Sequence, residues 1–263
     1  MKYCLSIGLH NLYFDIAIVD ENNTIMGKNR VLYDRSKDVS NNIKNAYLKY
    51  FSKYKLYGIG VAISSNISYK DDVIYSLKAL NIDRYNLKQA MEKIFKINVL
   101  LVEERYAASI GVYNELDVYS LAYVILDNKI SNSVVVDGEV VLLDNEFDLL
   151  KNKKLNQICG KNNLKTVFLQ NNLDDEYIGG YFLSNNSVAK GIIMKWAKEL
   201  NKHLNKLFNS LRIEKVVFAG NLGVYYPYFK DYLKLNNFMK CDYISDHNDK
   251  TIKGVSHLIF KDN

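Results

Sequence analysis

Two acidic side chains, Glu103 and Glu104, stand where a short apolar run, Val99 to Val102, gives way to the helical pattern of Arg105 to Gly111. A carboxylate held at a strand end is placed to act as a general base. Acidic residues at a helix start also complement the positive end of the helix dipole, and spacing alone favours that reading. A second polar group, Ser64, Ser65 and Asn66, follows the apolar run Leu56 to Ile63, and ligands of open α/β sheets gather beyond the carboxyl ends of strands. The histidines offer less chemistry. His203 falls on a mostly polar helix face, His247 in a polar loop and His257 on a terminal helix, each without a metal or catalytic partner in view. All three are read as structural or surface residues. Cys4, Cys159 and Cys241 are far apart, lack metal-ligand spacing and are odd in number, which points to reduced thiols and a cytoplasmic protein.

The elements that must position these groups follow from periodicity. Tyr3 to Ile7 and Leu12 to Val19 are rich in β-branched and aromatic residues and read as strands joined by the tight segment Gly8 to Asn11. Asp20 to Asn23 is a turn, and Thr24 to Met26 a third strand. The layout returns a hundred residues later: Tyr119 to Leu126 and Ser133 to Val136 as strands around the polar loop Asp127 to Asn132, then a hairpin turn at Asp137 and Gly138 and a strand from Glu139 to Leu143. Helices are expected over Asp38 to Tyr54 and Asn86 to Lys96, and over a long span from an Asn186 or Ser187 cap to Leu211, with Trp196 in its buried stripe. Lys215 to Ala219 reads as a buried strand and Tyr228 to Leu235 as helical, while Asn145 to Lys165 has no clear pattern. Two meanders, each followed by helices and a further strand, predict two similar α/β domains, with ligand bound in a cleft between them.

At 263 residues, 48% apolar and 24% charged, the chain has a globular composition and length enough for two domains. The net charge of +6 is dispersed, whereas nucleic-acid partners call for a concentrated basic face. His10, Asn11 and Asp15 interrupt any apolar leader near the start, and no run reaches the roughly 18 apolar residues of a membrane span.

In this order the elements resemble the ROK family of repressors, open reading frames and sugar kinases, which shares its fold with hexokinase, actin and heat-shock chaperone ATPases. Cys4 to Asp20 is similar to the family's first phosphate loop, a strand, Asp-x-Gly-Gly-Thr and a second strand. Tyr57 to Asn66 resembles its Gly-Ile-Gly-x-Pro-Gly strand and sugar loop, and Leu80 to Gly111 the region of the catalytic aspartate. Ala122 to Gly138 resembles its second phosphate loop, Val216 to Gly223 its glycine segment near the adenosine, and Gly254 the small residue opening its last helix. The resemblance implies two ribonuclease-H-like (actin-like ATPase) domains, 1–117 joined by a terminal helix at about 248–263, and 118–247. It implies ATP-dependent phosphorylation of a hexose or amino sugar, with Ser64, Ser65, Asn66 and Glu103 toward the sugar, Glu104 as base, and Gly8, Asn11, Lys129, Gly220, Gly223 and Gly254 toward the nucleotide.

The departures fall on the chemistry. Counting back from Asp20, the family's Asp-x-Gly-Gly-Thr lands on Gly8 to Leu12, so the metal-organising aspartate and both close-approach glycines are replaced, and His10 and Asn11 stand where backbone amides should face phosphate. The second loop lands on Asp127 to Ser133 without a glycine. Counting back from Gly111 puts the catalytic aspartate on Glu104; counting forward from Glu103 puts it on Arg105. The family's zinc motif is reduced to Cys159 and Gly160, so neither zinc nor another bound metal is expected.

Phosphoryl transfer depends on positioning and charge stabilisation, and these losses predict a catalytically degenerate, sugar-kinase-like protein that binds a ligand or a partner. The alternative is a divergent active kinase using ATP and magnesium, with Glu104 as base and Lys129 or Asn11 replacing lost backbone contacts; a third reading takes the likeness as fold alone. A small sugar and a homodimeric partner are expected. With its first strand at Tyr3 the chain leaves no room for the family repressors' winged helix-turn-helix, so direct nucleic-acid binding is not expected, nor is membrane association.

Overall fold

A computed structural model describes residues 1–64, 67–145, 147–235 and 240–261. It divides into two compact units, one comprising Met1–Leu116 with Asn248–Asn263 and the other Asp117–His247.

The first unit opens with a meander. β1 (Tyr3–Leu9), β2 (Tyr13–Asp20) and β3 (Ile25–Leu32) pair antiparallel in sequence. The second turn is closed by Asp20, whose Oδ1 accepts the backbone N–H groups of Asn22 and Thr24 at 3.0 and 2.8 Å. β3 runs six residues past Met26, where the sequence pattern breaks off. Its segment Lys28, Asn29, Arg30 is too polar to read as a strand, and pairing along the whole of β2 overrides that local preference. After α1 (Val39–Tyr50), capped by Asp38, β4 (Leu56–Ile63) pairs parallel to β1. Three short strands that periodicity does not reveal, β5 (Ser68–Lys70), β6 (Val73–Ser76) and β7 (Tyr85–Asn86), form a small sheet of their own. α2 (Leu87–Phe95) leads to β8 (Val99–Glu103), parallel to β4, and then directly to α3 (Glu104–Tyr113). The sheet order is β3-β2-β1-β4-β8. One face buries Leu5, Ile7, Phe14 and Ile16 against Val39 and Ile43 of α1 and Leu87 and Met91 of α2. Strands buried on both faces need near-continuous apolar runs, which is why β1, β2 and β4 are plain in the sequence.

The second unit repeats the plan. β9 (Ser120–Ile125), β10 (Ser131–Val136) and β11 (Glu139–Val141) form its meander. Asp137 and Gly138 join the last two, both at positive φ (50° and 77°), the type I′ geometry whose twist matches a hairpin. The unpatterned stretch resolves into a 3₁₀ turn at Leu149–Lys151, α4 (Lys153–Cys159) and α5 (Lys161–Gln170), followed by α6 (Ile178–Leu183). α7 (Ser187–Leu211) is capped by Asn186, whose side chain accepts the Ala189 N–H at 3.0 Å. β12 (Lys215–Ala219) pairs parallel to β9, and β13 (Lys240–Tyr243), absent from the sequence reading, pairs parallel to β12. Between them the helix expected over Tyr228 to Leu235 shrinks to α8 (Tyr226–Phe229) and a 3₁₀ turn at Lys230–Tyr232. The order β11-β10-β9-β12-β13 matches that of the first unit element for element. Each unit is thus a ribonuclease-H-like α/β fold.

The chain closes with α9 (His247–Lys261). Within the first unit α9 crosses α3 at two glycines: a Cβ on Gly254 would lie 1.7 Å from the Ala107 carbonyl oxygen, and one on Gly111 2.0 Å from that of Lys250. His247 is not in a loop. It begins α9, and its Nδ1 lies 2.6 Å from the Tyr123 hydroxyl with the rings stacked. Among the described residues no helix is long and apolar enough to cross a membrane.

Candidate functional site

In the first unit, β1, β4 and β8 are parallel neighbours whose carboxyl ends coincide: Leu9 pairs with Ile63, and Ile63 with Glu103. The buried Ser64 is tied to this edge by its N–H, which donates to the Leu9 carbonyl at 3.0 Å. Glu103 and Glu104 sit where β8 becomes α3, so Ser64, Glu103, Glu104 and Asn11 lie at one end of one sheet. Ser65 and Asn66 lie outside the described residues. Glu103 occupies the α3 N-cap without a side-chain capping bond; its Oε2 accepts instead from Arg105 Nε at 2.8 Å. Arg105 is 4% exposed and also donates to the Tyr106 hydroxyl at 2.9 Å. Glu104, in the first turn of α3, is buried.

A chain of charges that the sequence reading missed runs through this edge. His10 Nδ1 lies 4.0 Å from Glu104 Oε1, and His10 Nε2 lies 3.8 Å from Asp15 Oδ2. Asp15 is 1% exposed in β2 and takes a two-pronged contact from Arg30 of β3, Nε to Oδ1 at 2.9 Å and Nη2 to Oδ2 at 3.0 Å. Burial pushes the Asp15 carboxyl up, but the His10 ring and the Arg30 fork outweigh it and bring the group down to about 2. The Tyr13 ring lies tilted 4.6 Å from the His10 ring, and the Arg30 guanidinium sits over the Tyr13 ring at 4.3 Å. The Tyr33 hydroxyl fixes the turn by donating to the His10 carbonyl at 2.9 Å.

Gly8 does not belong to a loop. It is buried within β1 opposite Asp15, and a Cβ there would meet His10 Nε2 at 3.4 Å and Asp15 Cβ at 3.9 Å. The side chains of Asp15 and His10 occupy the space beside it, and the turn begins only at His10. Asn11 lies half-buried in that turn.

The second unit presents the corresponding edge at the ends of β9 and β12. Asp127 follows β9; its Oδ2 accepts from Asn221 Nδ2 at 2.9 Å, and its carbonyl takes the Lys161 N–H at 3.0 Å. Lys129 is exposed in the same turn. Gly220 has φ of +87°, and a Cβ on it would come within 2.6 Å of the Leu126 carbonyl oxygen, so backbone geometry demands glycine. Gly223 is buried at the start of the 3₁₀ turn Gly223–Tyr225. Gly254 lies at the α3–α9 crossing already described, where helix packing accounts for its missing side chain.

No group of three or more histidine, cysteine or carboxylate side chains among the described residues could hold a metal ion. Where the resemblance places a zinc segment, asparagines do the ordering. Asn156 accepts the Ile130 N–H and donates to the carbonyls of Leu149, Leu150 and Asn152, and Asn132 bridges Phe147 and Leu149. Cys159 is buried, its carbonyl accepting from Trp196 Nε1 at 2.8 Å, which confirms Trp196 as core.

The sequence matches no protein-family model and no curated protein. Solved structures match over almost its whole length. A ROK hexokinase from Thermus thermophilus superposes with a TM-score of 0.79 at 14% identity, covering 99% of this chain and 100% of that one. A ROK family protein from Streptococcus pneumoniae in complex with sucrose gives 0.78 at 12% identity, covering 99% and 98%. A ROK family transcriptional regulator, a homolog of the E. coli MLC protein, gives 0.79 at 12% identity, covering 99% of this chain and 78% of that one. At these identities the likeness is one of fold.

Proposed function

We propose that this chain is a sugar-kinase-like protein of the ROK group with degenerate nucleotide and catalytic loops, and that it works by binding a sugar or a partner rather than by phosphoryl transfer. The observation that carries the reading is the backbone of the two hairpins. Successive amides converge on a phosphate where right- and left-handed residues alternate or where the chain makes a tight turn. None of the described residues from Gly8 to Leu12 or from Asp127 to Ser133 has positive φ. At the first edge, moreover, carboxylates are engaged internally: Asp15 with Arg30 and His10, Glu103 with Arg105. The sugar is inferred from the fold neighbours, among them the sucrose-bound pneumococcal protein, and from the polar carboxyl edge at Ser64 and Glu103.

A second reading, a divergent kinase, rests on one observation: a carboxylate, Glu104, is retained at the strand-to-helix junction and half-faces His10. Calorimetric titration of the purified chain with ATP and magnesium to millimolar concentration separates the two. The degenerate reading expects no binding heat at either of two temperatures, together with a saturable response to at least one member of a hexose and amino-sugar panel. One-to-one nucleotide binding, followed by sugar phosphorylation that Glu104→Gln abolishes, would replace it with the second reading.

A further inference from the structure

Gly191 lies in the interior of the 25-residue helix α7, a position where glycine disfavours helix relative to alanine. At Gly111 and Gly254 an added side chain would strike backbone, but a Cβ on Gly191 meets nothing within 4 Å. Among the described residues nothing packs into the space that the missing side chain leaves. The space it leaves forms part of a half-open groove of about 440 Å³ between α5 and α7. That volume falls within the roughly 300–1,000 Å³ of small-molecule sites. Its walls are apolar, with Leu164, Val167, Ile192 and Trp196 inside and Val188 at the mouth, 48% exposed.

Of the polar groups on the rim, the two asparagines and the glutamate are engaged. The Asn163 and Asn171 amides donate to the Ile158 and Val167 carbonyls at 2.7 and 2.8 Å. Glu199 accepts from Lys202 at 2.5 Å, and that bond holds its carboxyl below the usual range. Lys195, exposed and lining the groove, makes no ion pair or hydrogen bond among the described residues. Lys198 and Lys202 follow it at helical spacing along the same stripe of α7. The groove therefore joins an apolar hollow of ligand size to an uncompensated cation.

We propose that the α5–α7 groove binds a small amphipathic anion, its apolar body lying over Gly191 between Leu164, Val167 and Ile192 and its carboxylate or phosphate meeting Lys195. A second copy of the chain docked here would bring lysines to lysines; a free amphipathic anion satisfies both the hollow and the charge.

The chain's sole tryptophan, Trp196, lines the groove, so its emission reports occupancy. The full-length protein is titrated below micellar concentration with decanoate, decyl phosphate and, as the uncharged control, decanol. Saturable change in Trp196 emission is expected with one or both anions, and which of them binds tighter identifies a carboxylate or a phosphate site. Gly191→Leu puts a bulky side chain into the hollow from a position where a Cβ meets nothing within 4 Å and where glycine disfavours helix; with its circular dichroism spectrum unchanged, affinity is expected to drop at least about tenfold. Lys195→Gln is expected to weaken the anions about fivefold and leave decanol unchanged. The proposal is overturned if neither anion gives a saturable response, if decanol binds as tightly as both, or if Gly191→Leu binds like the parent.

Discussion

Replacing Arg30 with alanine isolates the charge chain at the first edge. Asp15 is 1% exposed and its carboxyl stands at about 2 against an unfolded value of 3.8. A folded value below the unfolded one stabilises the native state above pH 3.8, and the contribution is lost as pH falls through about 2. Linkage over that gap gives about 2.5 kcal/mol at neutral pH, about 1.3 at pH 3 and a few tenths at pH 2. Arg30 shares this with His10 and is itself 53% exposed, so solvent screening trims its part to about 1.5 kcal/mol. Hydrogen exchange of the β1–β2 amides, corrected for intrinsic rates, reads that loss as about tenfold weaker protection in Arg30→Ala at pH 7, shrinking toward parity at pH 2. Equal protection at pH 7 would show that the pair contributes nothing. A deficit undiminished at pH 2 would refute the electrostatic account and assign the effect to the stacking of Arg30 on Tyr13.

The asparagine cage and the helix crossing give two further tests. Asn156→Ala leaves the N–H of the fully buried Ile130 and three carbonyls without their partner, and is expected to cost about 2–3 kcal/mol, read as a lowered urea midpoint of Trp196 fluorescence. Gly254→Ala must displace backbone at the α3–α9 crossing and is expected to lose more than about 3 kcal/mol, whereas Gly191→Ala, with open space beside it, gains up to about 1 kcal/mol; thermal unfolding of the two variants should shift in opposite directions.

Much of this architecture is legible in the residues because the signals are local. β4 and β12 begin and end where their apolar runs do, the Asn186 cap announces α7, and the meander repeats a hundred residues on. Elements whose residues are ordered by neighbours escape. β3 is a polar strand carried by pairing, α4 has a short stripe anchored by Asn152 and Asn156, and β13 gains its ladder only from β12.

The candidate site divides along the same line. Ser64, Glu103 and Glu104 can be read from sequence because each directly follows or ends its own strand. Asp15 and Arg30 cannot, since their meeting depends on the register of β2 against β3. The ladder pairs Asp15 with Arg30 only because it shifts between Ile18 and Val19, and a slip of one residue would turn Arg30 to the opposite face. What could have drawn attention is Asp15 itself, a carboxylate inside the otherwise apolar run Phe14 to Val19. A buried carboxylate must find a cation or lose its charge, and the first cations within reach of a hairpin closing at Asp20 are Lys28 and Arg30. Of the two, Lys28 is taken by Asp249 at 2.5 Å, and Arg30 has the planar fork that grips both carboxylate oxygens. The pair is thus a consequence of a polar residue placed in a strand that the core needs, and the rearranged hairpin end follows from it, with Asp15 and His10 filling the space beside Gly8.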